Sequence, residues 1–165
     1  MASVGPPALF QDPNSILFIG FNQDGSCLAA GTNQGFIIYS VMPFAKLYEE
    51  KCGAVSIVEM LYTSNLIAIV GSSDGCTTSS RMVMMWNATE RRCLTTLSFN
   101  SAVHGIKMNP KCVVVLMESE VRIYDLVTLT FLHLINREAD YSGNPSVCSL
   151  CCSPKRGYLA IPCSK

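Results

Sequence analysis

Charge is scarce in this 165-residue chain and has no preferred sign. Charged side chains make up 15% of it, twelve basic against twelve acidic, so no net field draws in a nucleic acid or an acidic membrane. No run of like charge forms a binding tail either. Long hydrophobic runs are also lacking: the longest, such as Ile16–Gly20 and Cys112–Met117, fall far short of the roughly 20 residues that cross a bilayer as a helix. The first residues, MASVGPPALFQDP, have no basic region leading into an apolar core, so no secretory leader is expected and the chain is placed in the cytosol. Sustained helical periodicity is missing. The nearest approach, Thr128–Ile135, is rich in Thr and carries aromatics suited to a strand.

Cysteine is plentiful but unpatterned. The nine cysteines are an odd number scattered mostly through apolar runs, as expected of small buried hydrophobes in a reducing compartment. Cys148-x-x-Cys151 followed by Cys152 hints at a metal or redox pair. A structural zinc site needs a second pair of ligands, and only Cys163 follows while His104 and His133 lie upstream, so no metal is expected. No signature of a nucleophile surrounds any cysteine, and neither an enzyme nor a cofactor is expected. Asn87-Ala88-Thr89 matches a glycosylation acceptor, which a cytosolic chain would not use.

What the chain does have is 49% hydrophobic residues, enough for a buried core, arranged in a repeat. The junctions Phe21-Asn22, Leu61-Tyr62, Met108-Asn109 and Cys152-Ser153 follow one another at steps of 40, 47 and 44 residues, close to the roughly 40–45 residues of a WD-type propeller blade. Each is preceded by a β-prone run (SILFIGF, VSIVEML, AVHGIKM, VCSLCC) and followed by a turn and a second run (SCLAAG, LIAIVG, CVVVLM, YLAIP). Short apolar runs bounded by Gly, Pro, Asn and Ser predict strands buried on both faces. A third strand follows in three copies and ends on Tyr39-Ser40, Trp86-Asn87 and Tyr124-Asp125, the place of the Trp-Asp pair in WD repeats. A more polar fourth strand leads outward as KLYEEK, CLTTLSF and FLHLIN.

The expected fold is all-β: a WD40-like β-propeller with three complete four-stranded blades and the start of a fourth. After a flexible segment at 1–14 the units run 15–52, 53–100, 101–141 and 145–165, with Tyr141–Pro145 as a turn between units. A sandwich also spaces strands closely, but it does not produce a period near 44 with a matching third-strand ending. Three and a half blades do not close a ring, and Tyr158–Pro162 would be left as an unpaired edge strand. The chain is therefore expected to be a fragment of a longer reading frame or a half that pairs with another.

The segment ILFIGFNQDGSCLAAGTNQGFIIYSV resembles the first blade of the PROPPIN family, β-propellers that bind phosphoinositides. The match continues in IVEMLYTSNLIAIVG, VHGIKMNPKCVVVLMESEVRIYDLVTLTFLHLI and CSLCCSPKRGYLAIP. The resemblance implies a seven-bladed propeller that recognises phosphatidylinositol 3-phosphate and phosphatidylinositol 3,5-bisphosphate. It implies recruitment to preautophagosomal, endosomal or vacuolar membranes as an adaptor for autophagy lipid-transfer or conjugation proteins. Family members hold the headgroups through a Phe-Arg-Arg-Gly motif, and none occurs here. Arg91-Arg92 reads as a solvated turn and Lys155-Arg156-Gly157 as a tight turn, so no lipid-binding residue is assigned to this chain. In the family the early blades meet protein partners. The corresponding loop, Ser72–Arg81, with Ser72, Ser73, Asp74 and Arg81 as its candidate contacts, is long and polar enough to take an extended peptide or to be a plain connector. The alternative function is a generic WD-repeat scaffold that binds only proteins.

Overall fold

The computed structural model describes residues 15–72, 79–137, 142–153 and 157–162. Two-residue alternation builds it. The first sheet joins β1 (Ile16–Phe21), β2 (Cys27–Thr32), β3 (Phe36–Ser40) and β4 (Ala45–Glu50) in sequence order. The second joins β5 (Val55–Met60), β6 (Leu66–Gly71), β7 (Met82–Asn87) and β8 (Arg92–Ser98), and the third β9 (Val103–Met108), β10 (Cys112–Met117), β11 (Glu120–Asp125) and β12 (Phe131–Asn136). All neighbours are antiparallel, as short connections require. Among the described residues the fourth unit contributes β13 (Ser149–Leu150) paired with β14 (Leu159–Ala160).

The second strand of each full unit is buried on both faces, and its odd and even residues serve different interfaces. In β6, Ile67 and Ile69 pack with Val58 of β5 toward Phe36 and Ile38 of the first sheet, while Ala68 and Val70 face the third with Val113 and Met117. In β10, Val113, Val115 and Met117 face the second sheet, and Val114 and Leu116 face Leu150 and Leu159 of the small fourth one. This is the period of two expected of a strand, and it explains the near-continuous apolar runs seen in the sequence. The partial sheets thus stack face to face, β1 and β2 against β5 and β5 against β9.

Three expectations need correction. β1 is not buried on both faces: Ile16, Ile19 and Phe21 are 59%, 58% and 63% exposed, because among the described residues only one face of the first sheet meets another sheet. The runs VCSLCC and YLAIP give strands of two residues rather than full ones, although the pairing Ser149↔Ala160 and Leu150↔Leu159 is the one the repeat predicts. The fourth strands are not uniformly polar, since β12 exposes Phe131, Leu132 and Leu134. No helix among the described residues is long and apolar enough to cross a membrane.

Candidate partner-binding surface

Asparagine side chains close the turns between first and second strands. Asn22 Oδ1 accepts from the Cys27 amide at 3.0 Å, and Asn109 Oδ1 accepts from the Lys111 and Cys112 amides at 2.9 Å each. These asparagines are 7% and 1% exposed; their amide groups replace the strand bonds that the turn removes. The four repeat junctions then meet in space. Gln23 donates from Nε2 to the carbonyls of Met60 (2.6 Å) and Met108 (3.1 Å), and its Oε1 accepts from the Tyr62 amide at 2.6 Å. Tyr62 Oη donates to the Cys152 carbonyl at 2.9 Å, and Asn109 Nδ2 to that of Cys151 at 3.0 Å. One glutamine from the first unit thus ties the second and third together, and Tyr62 and Asn109 tie those to the fourth.

The turns between third and fourth strands lie at the same end of the sheets. The residue in the Asp position of each repeat shapes them. Ser40 Oγ bonds the carbonyl of Pro43 (2.5 Å), Asn87 Oδ1 accepts from the Thr89 and Glu90 amides at 2.9 and 3.1 Å, and Asp125 Oδ1 accepts from the Thr128 and Val127 amides at 2.8 and 3.0 Å. The bonds from Thr128, then Val127, hold the Asp125 carboxyl below the usual carboxylate range. The aromatic before it pairs with the residue seven positions on: Tyr39↔Lys46, Trp86↔Cys93 and Tyr124↔Phe131. In all three sheets the ladder then skips one residue, a β-bulge.

The skipped residue is leucine each time. Leu47, Leu94 and Leu132 each lie eight residues after the aromatic and are 58%, 43% and 45% exposed. They stand at the same level on three successive outer strands. Leu47 borders a cleft of about 250 Å³ between the first and second sheets, whose floor is Ile38, Met60 and Ile67 and whose polar lip is Thr63, Ser64, Asn65 and Thr89. An apolar floor with a polar rim suits a protein segment that inserts a side chain. The constant eight-residue offset was a usable signal in the sequence, hidden by the mixed composition of the fourth strands.

Arg91 borders the same seam and does more than sit in a solvated turn. At φ 51° it turns back across the seam, pairs with Glu50 Oε2 at 3.0 Å, donates to the Glu49 carbonyl at 3.0 Å and lies 5.2 Å over the Tyr48 ring. Tyr48 Oη in turn donates to Glu50 at 2.7 Å and accepts from Trp86 Nε1 at 3.0 Å. Burial chiefly pushes the Tyr48 phenol up, with the bond from Trp86 opposing it and the bond to Glu50 adding to it. Arg91→Ala is expected to lower the unfolding free energy in urea by about 1 kcal/mol, the scale of a partly exposed charge-assisted bond. Arg92→Ala, whose partner is the exposed Glu90, should change it by no more than a few tenths.

The loop Ser72–Arg81 is at the opposite end of the second sheet. Its base is fixed: the Ser72 amide donates to the Ala54 carbonyl at 3.0 Å, and the Phe99 and Val103 amides donate to the carbonyls of Arg81 and Ser80 at 2.9 and 2.8 Å. Ser73 and Asp74 lie outside the described residues, as do Lys155 and Arg156. The structure therefore does not bring Ser72 and Arg81 near the leucine row. His104 and His133 are strand residues of β9 and β12.

The PROPPIN family model matches residues 15–165. The chain is 38% identical over 152 residues to autophagy-related protein 18 of Yarrowia lipolytica, covering 90% of this chain and 37% of that protein. It is 37% identical over 152 residues to the protein of that name from Dictyostelium discoideum, covering 91% and 39%. Among solved structures, KlAtg21 in complex with the coiled coil of AgAtg16 superposes with a TM-score of 0.76 at 26% identity, covering 87% of this chain and 45% of that one. Kluyveromyces marxianus Hsv2 superposes with a TM-score of 0.68 over 75% and 40% at 22% identity, a likeness of fold. The chain thus spans less than half the length of these relatives. Its four ordered repeat units, stacked sheets and matching family model together show that it belongs to the PROPPIN family of β-propellers.

Proposed function

We propose that the protein of which these sheets are part is a phosphoinositide effector and adaptor in autophagosome formation and in endosomal or vacuolar membrane trafficking, recruited peripherally from the cytoplasm. Its ligands would be membranes carrying phosphatidylinositol 3-phosphate or phosphatidylinositol 3,5-bisphosphate, and its chemistry recognition rather than catalysis. The similarity to Atg18 proteins over nine-tenths of the chain supports this reading. The repeat units are taken as 15–52, 53–100, 101–141 and 145–165 after a segment 1–14. Within this chain no residue is assigned to the lipid, and the share of the work given to these sheets is protein binding.

The observation that carries that assignment is the row Leu47, Leu94 and Leu132, set outward by the same bulge in three successive sheets beside an apolar cleft. The base of the Ser72–Arg81 loop is a separate, polar contact region at the other end. A partner offering apolar side chains at regular intervals, such as the coiled coil seen with KlAtg21, suits the row.

The experiment measures binding of an Atg16-type coiled coil to the chain and to its Leu94→Lys/Leu132→Lys variant. Both leucines are exposed and lack a cross-strand partner, so the fold should tolerate the change. The expected result is at least about a tenfold loss of affinity, the scale of a truncated hot spot, with an unchanged circular dichroism spectrum. Equal binding by variant and parent, or none by the parent, would overturn the assignment.

A further inference from the structure

Glu59 is a charged side chain in an inner strand, 8% exposed, where the first three units meet. Its surroundings satisfy it poorly. Lys107 Nζ stands 3.6 Å from one oxygen, while the Met108 amide and Gln23 Nε2 approach the other at 3.4 and 3.5 Å, all long for bonds to a carboxylate. Gln23 has two amide hydrogens, and its shorter bonds already go to the carbonyls of Met60 and Met108. Two cavities, of about 220 and 280 Å³, flank the group, and both are bordered by Glu59 and Lys107. The protein's own donors to this carboxylate are thus all long, and what water reaches it comes through the two cavities.

We propose that Glu59 is a proton-operated latch between the inner strands, loosened when its carboxylate is ionised and tightened when it takes up a proton. The protonated acid sheds the charge that calls for further donors, and its carbonyl oxygen still accepts from the Met108 amide. Burial acts in the same direction, pushing the Glu59 carboxyl up, with Lys107 the chief opposing influence. The sign follows by linkage. A folded-state value above the unfolded one means that the stabilisation is complete below the unfolded value near 4.5 and is lost as pH rises through the folded value. The other titratable groups facing the site are Lys107 and His104 from β9, Cys148 from the segment before β13 and Cys152 after it, with Arg137 acting on Cys148. On the first unit, Asp24 is held by Ser26 and exposed.

Thermal melts of the chain and of Glu59→Gln between pH 5 and 8 test the latch. Glutamine keeps the shape and removes the ionisation, so the variant's melting temperature relative to the parent should be higher at pH 8 than at pH 5, the difference changing by about 3 °C. The NMR chemical shift of the Met108 amide proton should change with pH in the parent and not in Glu59→Gln, and His104→Asn should leave both effects in place. A difference between parent and Glu59→Gln that is constant across the range would overturn the proposal. So would a Met108 amide that titrates identically in both, or loss of the effects in His104→Asn.

Discussion

Gly31→Ala is expected to lower the stability of the chain by about 3 kcal/mol or more, enough to leave much of it unfolded at ambient temperature. A Cβ built on Gly31 falls 2.4 Å from the Val55 carbonyl oxygen and 3.3 Å from its carbonyl carbon. That oxygen belongs to the backbone of a fully buried residue at the start of β5, so it cannot move without parting the first two sheets. Two other glycines bracket this cost. At Gly35 the Cβ would lie closer still, 1.8 Å from the Glu50 carbonyl oxygen, and that backbone is held in the ladder opposite Phe36, so Gly35→Ala should cost at least as much as Gly31→Ala. At Gly25 there is open space and only a φ of +72°, so Gly25→Ala should cost about 1 kcal/mol. Urea unfolding of the three variants checks the ranking. A Gly31→Ala protein no less stable than Gly25→Ala would show that the sheets adapt to each other more freely than their packing implies.

Gln23→Ala is expected to cost about 3 kcal/mol, although the side chain is only partly buried. The substitution strands the Tyr62 amide and the carbonyls of Met60 and Met108, each at about 1 kcal/mol. The neighbouring cavity of about 220 Å³ gives water a route to some of them, which keeps the figure from rising further. Gln23→Glu is the sharper comparison. It preserves size and can still accept from Tyr62, but it directs a carboxylate at two carbonyls and at Glu59. It should therefore be less stable than Gln23→Ala at pH 8. Denaturant midpoints for both variants decide the matter, and a loss below about 1 kcal/mol in Gln23→Ala would remove the claim that this residue joins three units.

The repeat was legible because its cause is local. Turn residues and two-residue alternation act within a few positions of themselves, so β2, β6 and β10 and the Ser40, Asn87 and Asp125 turns could be placed from composition alone. Gln23 was visible only as part of a motif. Its partners lie 36 to 85 residues away, and nothing in a glutamine announces which carbonyls it will meet. Arg91 read as a solvated turn for the same reason, since Glu50 and Tyr48 come beside it only when two sheets stack. The exposure of β1 escaped a reading based on hydrophobicity because Ile16, Ile19 and Phe21 are as apolar as residues in the core. Which face of a strand is covered is decided by neighbouring sheets, not by the strand.

The bulges of the outer strands set a limit on how this surface can change. Surface turns ordinarily absorb insertions and deletions with little penalty. Here the aromatic pairs seven residues on and the outward leucine comes eight residues on, identically in three units. One residue added between Tyr124 and Phe131 would shift every later side chain of β12 to the opposite face, turning Leu132 inward and exposing Ile135. The turns are accordingly free to vary in sequence but bound in length, and a lineage could rewrite their chemistry while keeping their count.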